Sequence, residues 1–339
     1  MRRPAKDTAA PMIDTNAPDT ISRRALLTGG ASLLACAAVG DKDTLAHAAA
    51  PKAAFSFVHI TDTHIQPELG ATLGVDKAFH SIRALKEKPA FGLVGGDLVM
   101  DAAAVPESRA DLVYNLWKRE AAKLAFPLHY SVGNHDVYGL GEASKDPATA
   151  AQDPNFGKNI WKRRLGLPAT YSTFDHQGWR FVTLDSVRIT PSGDWGGELG
   201  SDQITWLDNL LRKTPKTMPM IFLTHIPLLT VFGQYNEGTT AALTDKTVVK
   251  NGRQFQEMIQ GWNVKAVFQG HTHVVEEVSY LGAHYITGGA VCGDWWKGKR
   301  LGVHPEGFVV VNVSGENLSW RYVPYGWNAA AYAPKAASK

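Results

Sequence analysis

Five short polar motifs each stand just past an apolar run, and this placement constrains the fold more than any other feature. They are Asp62-Thr63-His64, Gly96-Asp97, Gly133-Asn134-His135-Asp136, His225 and Gly270-His271-Thr272-His273. The runs before them, 53–60, 91–94, 128–132, 220–223 and 264–268, read as strands. Helical spacing of apolar residues predicts helices over 75–86, 108–124, 202–213 and 252–261. Strands alternating with helices argue for an α/β layout. In open α/β sheets, ligands bind at the carboxyl ends of strands. The five motifs should therefore meet in space, bringing together three carboxyls, an amide and five imidazoles.

Such a cluster cannot stay buried without compensation, because each unpaired polar group costs several kcal/mol. Divalent cations resolve the cost. Imidazole and carboxylate donors suit Mn, Fe or Zn, and no thiolate stands in the motifs to favour a soft-metal site. Alternate residues of an extended segment point the same way, so Asp62 with His64, and His271 with His273, can grip an ion as pairs. Asp97 has two oxygens with free lone pairs and is the natural bridge. Asn134 offers a neutral carbonyl oxygen. Alone, Asp62-Thr63-His64 reads more readily as a turn than as a ligand pair, and Gly133-Asn134-His135-Asp136 as a good turn, since Gly and Asn both tolerate positive φ. The set of five is what points to metal.

In this order the five motifs resemble the calcineurin-like metallophosphoesterases, over roughly Phe55 to Tyr322. Leu184-Asp185-Ser186, Gly197-Glu198-Leu199 and Gln203-x-x-Trp206-Leu207 are similar to the bacterial class III cyclic-nucleotide and glycerophosphodiester phosphodiesterase branch. The resemblance implies two mixed sheets packed as a sandwich, with helices on both outer sides. It implies one metal on Asp62, His64, Asp97 and His273, and a second on Asp97, Asn134, His225 and His271. His135 would contact the phosphate and assist the leaving group, with Asp136 beside it to orient the ring. The implied chemistry is phosphoester hydrolysis, a metal-bridging hydroxide attacking phosphorus in line, with phosphodiesters favoured as the small-molecule substrate. A broad phosphomonoesterase is the alternative enzyme, and a non-catalytic scaffold of the same fold the alternative of another class. The scaffold reading expects eroded motifs, and here every position is present. Purple acid phosphatases place a tyrosine three residues after the bridging aspartate; here Met100 stands there, which speaks against a ferric-tyrosinate centre.

The remaining features set the context. Thirty-five basic against 32 acidic side chains give a net charge of +3, without the basic stripe of a nucleic-acid partner. Two cysteines, Cys36 and Cys292, exclude a disulfide framework. Arg23-Arg24 ahead of the apolar run 25–40 resembles a twin-arginine export signal. That run is too short for a stable membrane span. The domains expected are an export signal over 1–48, one phosphoesterase domain over 49–328 and a frayed tail over 329–339. The address implies the twin-arginine machinery as a partner and a periplasmic or cell-envelope location. Cleavage at Ala46-His47-Ala48 or a lipid anchor at Cys36 are both open. Residues 138–170 and 227–250 read as long polar loops, and the four runs between 274 and 322 as antiparallel strands closing a second sheet. His59, His80 and His129 read as structural. Trp295-Trp296, in a Gly-flanked loop, can pack or can stack on a base or sugar.

Overall fold

The computed structural model describes residues 54–333. The Arg23-Arg24 address, Cys36, the Ala46-His47-Ala48 site and residues 334–339 lie outside the described residues. From β1 (Ala54–Ile60) the chain passes through α1 (Ala71–Arg83) to β2 (Gly92–Val94), then through α2 (Glu107–Ala121) to β3 (Leu128–Tyr130). Three short helices, α3 (Leu140–Ala143), α4 (Pro147–Ala150) and α5 (Asn159–Leu165), precede the hairpin of β4 (Ser172–His176) and β5 (Trp179–Thr183). A small ribbon, β6 (Val187–Ile189) with β7 (Trp195–Gly197), leads into α6 (Ser201–Arg212) and β8 (Met220–Leu223). Then come α7 (Phe232–Asn236), α8 (Gly252–Ile259) and β9 (Val264–Gln269). The last strands are β10 (Val275–Tyr280), β11 (Ala283–Gly288), β12 (Gly307–Ser314) and β13 (Asn317–Pro324).

These strands form two mixed sheets, β13-β12-β1-β2-β3 and β10-β11-β9-β8-β5-β4, and β6 and β7 pair apart from both. The alternation of β1 explains how the layers stack. Phe55 and Phe57 enter an aromatic core with Phe91, Phe181, Ile221 and Phe268, which come from both sheets. Val58 and Ile60, on the other face, pack with Val75 and Phe79 of α1 and Val113 and Trp117 of α2. Likewise Phe222 and Val267 of the second sheet join Leu207 and Leu211 of α6 and Phe255 of α8. The result is the expected α/β sandwich with helices on both sides. Phe57 and Phe91 stack at 5.1 Å, and Phe268 meets Phe57 edge-on at 5.7 Å, so rings tie the two sheets together.

Two expectations are corrected. The four late runs do not close a single second sheet. β12 pairs antiparallel with β1 in the first sheet, whereas β11 pairs parallel with β9 in the second. Alternation identifies a strand but carries no information about its partner. Nor is 138–170 only loop. Of its three helices, α3 buries Leu140 and α5 buries Ile160 and Trp161 against the core. Of the tail expected over 329–339, the described part carries a 3₁₀ turn over Ala329–Tyr332, with Tyr332 stacked on Trp327 at 4.7 Å. Among the described residues no helix is long and apolar enough to cross a membrane.

His59 and His129 are structural, as read. His59 joins the sheets, one ring nitrogen facing Leu93 O at 3.2 Å and the other Gln269 O at 3.0 Å. His129 stacks on Phe174 at 3.5 Å, and burial, with His176 nearby, lowers its pKa to about 4. The unfolded chain takes up this proton nearer pH 6.5, so the contribution of neutral His129 is complete above that pH and is lost as pH falls towards 4. Acid melting curves of His129→Phe should therefore slope less steeply between pH 6.5 and 4 than those of the parent protein.

Candidate metal centre

All five motifs converge at the carboxyl ends of β1, β2, β3, β8 and β9. Asp62, His64 and His225 are fully buried, while Asp97, Asn134 and His273 are nearly so. The backbone there is strained. Asp62, His64, Asp97, His271 and His273 all have positive φ, from 40° to 71°. Non-glycine residues seldom adopt this region, and such strain persists only where the surroundings over-determine it. The restraints are visible: Asp62 N donates to Gly96 O, His64 N to Asp97 O, and Gly270 N to His225 O, at 3.0–3.1 Å. Thr61 Oγ1 and the His271 amide both donate to the Asp62 carboxylate.

Backbone carbonyls fix the imidazole tautomers. A carbonyl only accepts, so each ring nitrogen facing one must carry a hydrogen. His225 Nδ1 donates to Gly95 O at 2.8 Å, and His271 Nε2 to Lys246 O at 2.7 Å. His273 Nδ1 donates to Gly293 O, and His135 Nδ1 to Met100 O, both at 2.6 Å. The second nitrogen of each neutral ring is then a lone pair turned away from the backbone.

Those lone pairs face other acceptors. His225 Nε2 lies 3.0 Å from Asn134 Oδ1 and 3.3 Å from Asp97 Oδ2. His273 Nε2 lies 3.2 Å from Asp62 Oδ1 and 3.1 Å from His64 Nε2, which itself is 3.4 Å from Asp97 Oδ2. Buried acceptor against buried acceptor requires positive charge between them. Burial opposes charge on His225, yet Asp97 more than offsets it and raises the pKa to about 9. Burial likewise opposes charge on Asp62, but the His273 charge beside it brings the carboxyl down to about 2. Protons fill only part of the cluster: burial and the His225 charge together hold His271 down at about 4, and burial keeps His64 well below the usual imidazole range. Divalent cations satisfy every pair at once, so this donor set fits them. Asp97 is the hub: its donor atoms lie within 4.8 Å of those of His64 and His135, and of those of His225 and His271.

One role differs from the sequence reading. Asp136 does not orient His135. Its carboxylate accepts the backbone N–H groups of Leu98, Val99 and Gly133, clamping the Asp97 loop to the Asn134 loop. Buried there and close to Asp97, it has a pKa raised to about 7. The Met100 carbonyl holds the His135 ring instead, and the His135 amide donates to Asp97 Oδ1 at 2.9 Å. A backbone carbonyl leaves no mark in a sequence, whereas an adjacent aspartate invites the wrong assignment. The Asp185-Ser186 segment is a brace. Gln203 bonds both backbone groups of Asp185, and Ser186 Oγ accepts the Ile226 amide beside His225.

The motif glycines are spacers. A Cβ on Gly133 would stand 2.1 Å from both the amide nitrogen and Oδ1 of Asp97. Gly133→Ala should therefore abolish tight metal binding although every donor remains, a result that metal analysis of the dialysed protein would show beside the parent.

Comparison with known proteins gives the family and the fold. The family profile for calcineurin-like phosphoesterases matches residues 55–275. A 3′,5′-cyclic adenosine monophosphate phosphodiesterase of Vibrio vulnificus is 23% identical over 237 residues, 69% of this chain and 76% of that relative. Its Escherichia coli K12 namesake is 23% identical over 282 residues, 82% of this chain and 85% of its own. A dimetal phosphatase from Danio rerio has a TM-score of 0.56 and 14% identity, covering 82% of this chain and 98% of its own. That last likeness establishes the fold.

Proposed function

The chain belongs to the calcineurin-like phosphoesterase family, and from that premise we propose that it hydrolyses phosphodiesters at a centre of two divalent cations. Asp62, His64, Asp97 and His273 would hold one, and Asp97, Asn134, His225 and His271 the other. The observation that carries this is the ring of imidazole nitrogens and oxygens gathered around Asp97. Cations bound there supply water activation and charge neutralisation for an in-line displacement at phosphorus. The donor set suits Mn, Fe or Zn.

The protein's own contribution centres on His135. Its Nδ1–H is committed to Met100 O, so only Nε2 can meet the substrate. In its protonated form that nitrogen can donate to the departing oxygen, a step worth about 10²–10⁴-fold. The preference for diesters rests on the Leu184-Asp185-Ser186 branch resemblance and on the activity of the curated relatives. The export address read in residues 1–48 would deliver this activity to the cell envelope.

The test compares rates of the manganese-reconstituted protein on bis(4-nitrophenyl) phosphate, 4-nitrophenyl phosphate and 3′,5′-cyclic AMP. Faster, metal-dependent cleavage of the diesters is expected. A clear monoester preference would replace this reading with a phosphate-scavenging phosphatase.

A further inference from the structure

Two tryptophans outside the ligand set flank the histidine cluster in different places. The Trp295 ring lies 4.6 Å from His273 and 6.1 Å from His64, inclined at 40° and 56°. Trp195 meets His271 at 5.8 Å and 85°. Both are half-buried, and each has a cation against its ring. The Arg300 guanidinium is 5.2 Å from the centre of Trp295, and the Lys246 ammonium 4.5 Å from that of Trp195. Neither cation is loose: Arg300 pairs with Asp294 at 2.9 Å, and Lys246 pairs with Asp194.

The loop that presents Trp295 is held at a cost. Trp295 and Trp296 both have positive φ, 48° and 69°, two bulky residues in succession where glycine would be free of strain. Trp296 enforces this geometry. It is buried, its Nε1 donates to His64 O at 2.9 Å, its amide donates to Cys292 O at 2.8 Å, and its ring packs edge-on against Trp327. The ring of Trp295 is thereby fixed beside two of the proposed ligands.

We propose that Trp295 and Trp195 are specificity-determining walls for the two organic groups of an acyclic phosphodiester that carries a flat ring on each ester oxygen. This deepens the phosphodiester reading of the same centre and rests on it. Trp295 borders the centre beside His273 and His64, two donors of the first proposed cation. Trp195 borders it beside His271, a donor of the second, so the two rings stand at different ends of the centre. A monoester has one organic group and leaves one wall idle. In a cyclic diester both ester oxygens belong to a single group.

Calorimetric titration of the manganese-loaded full chain with diphenyl, methyl phenyl and dimethyl phosphate tests this without turnover. Each phenyl group should tighten binding about 3- to 10-fold. Trp295→Ala and Trp195→Ala should each remove one of these steps, Phe at either position should restore it, and metal content should stay at the parent value. No aryl preference in the parent, or a preference that survives both alanine variants, would overturn the proposal. So would loss of metal in those variants, which would make the tryptophans structural supports. Stepwise binding without cleavage of bis(4-nitrophenyl) phosphate would defeat the catalytic reading alone. Cleavage without aryl preference would defeat the walls alone.

Discussion

Asp97→Ala should leave a folded chain that holds less than one metal ion and has lost at least about 10³-fold in turnover, roughly 4 kcal/mol of barrier. Among the described residues no other carboxylate pairs with imidazoles of both proposed ligand sets. Its Oδ2 lies 3.4 Å from His64 Nε2 and 3.3 Å from His225 Nε2, while Oδ1 receives the His135 amide at 2.9 Å. Removing it takes a donor from each proposed cation and frees the loop that carries Asn134 and His135. Elemental analysis after gel filtration, with circular dichroism to check folding, measures the metal loss. A variant that keeps two ions would show that Asp97 is not the bridge.

His135→Ala should behave differently. The ring stands 4.7 Å from that of His64 but donates its Nδ1–H outward to Met100 O, and it is absent from the proposed ligand sets. Metal content should stay near two ions per chain while turnover falls about 10²–10⁴-fold, the usual worth of a general acid. KM should change little, because the lost interaction strengthens only as the leaving oxygen gains charge. Steady-state kinetics and elemental analysis of one preparation give both values. Loss of metal together with rate would move His135 into the ligand set.

Much of the site was legible because the motif residues are chemically conspicuous and end apolar runs. Asp62, His64, Asp97, Asn134, His225, His271 and His273 do come together. What was not legible depends on the backbone in three dimensions. The carbonyls of Gly95, Met100, Lys246 and Gly293 select the tautomers, yet any residue type can supply a carbonyl. The left-handed φ values at Asp62, His64 and Asp97 come from tertiary restraint, and no local propensity announces them. Asp136 was misread because adjacency in sequence suggested contact, whereas its side chain turns to the Leu98, Val99 and Gly133 amides. Trp195 lies in the β6–β7 ribbon, far in sequence from His271, and only the fold brings the two rings together. The partners of β11 and β12 were hidden for a related reason. Both are largely buried, β11 through its last four residues and β12 through its first five, and such runs do not reveal which neighbour they pair with.

The two-cation centre is tested most directly by stripping the protein with a chelator and following diester hydrolysis as manganese is returned in measured equivalents. Activity should be absent in the stripped protein and should plateau at two equivalents per chain. A plateau at one equivalent, or full activity in the stripped protein, would contradict it.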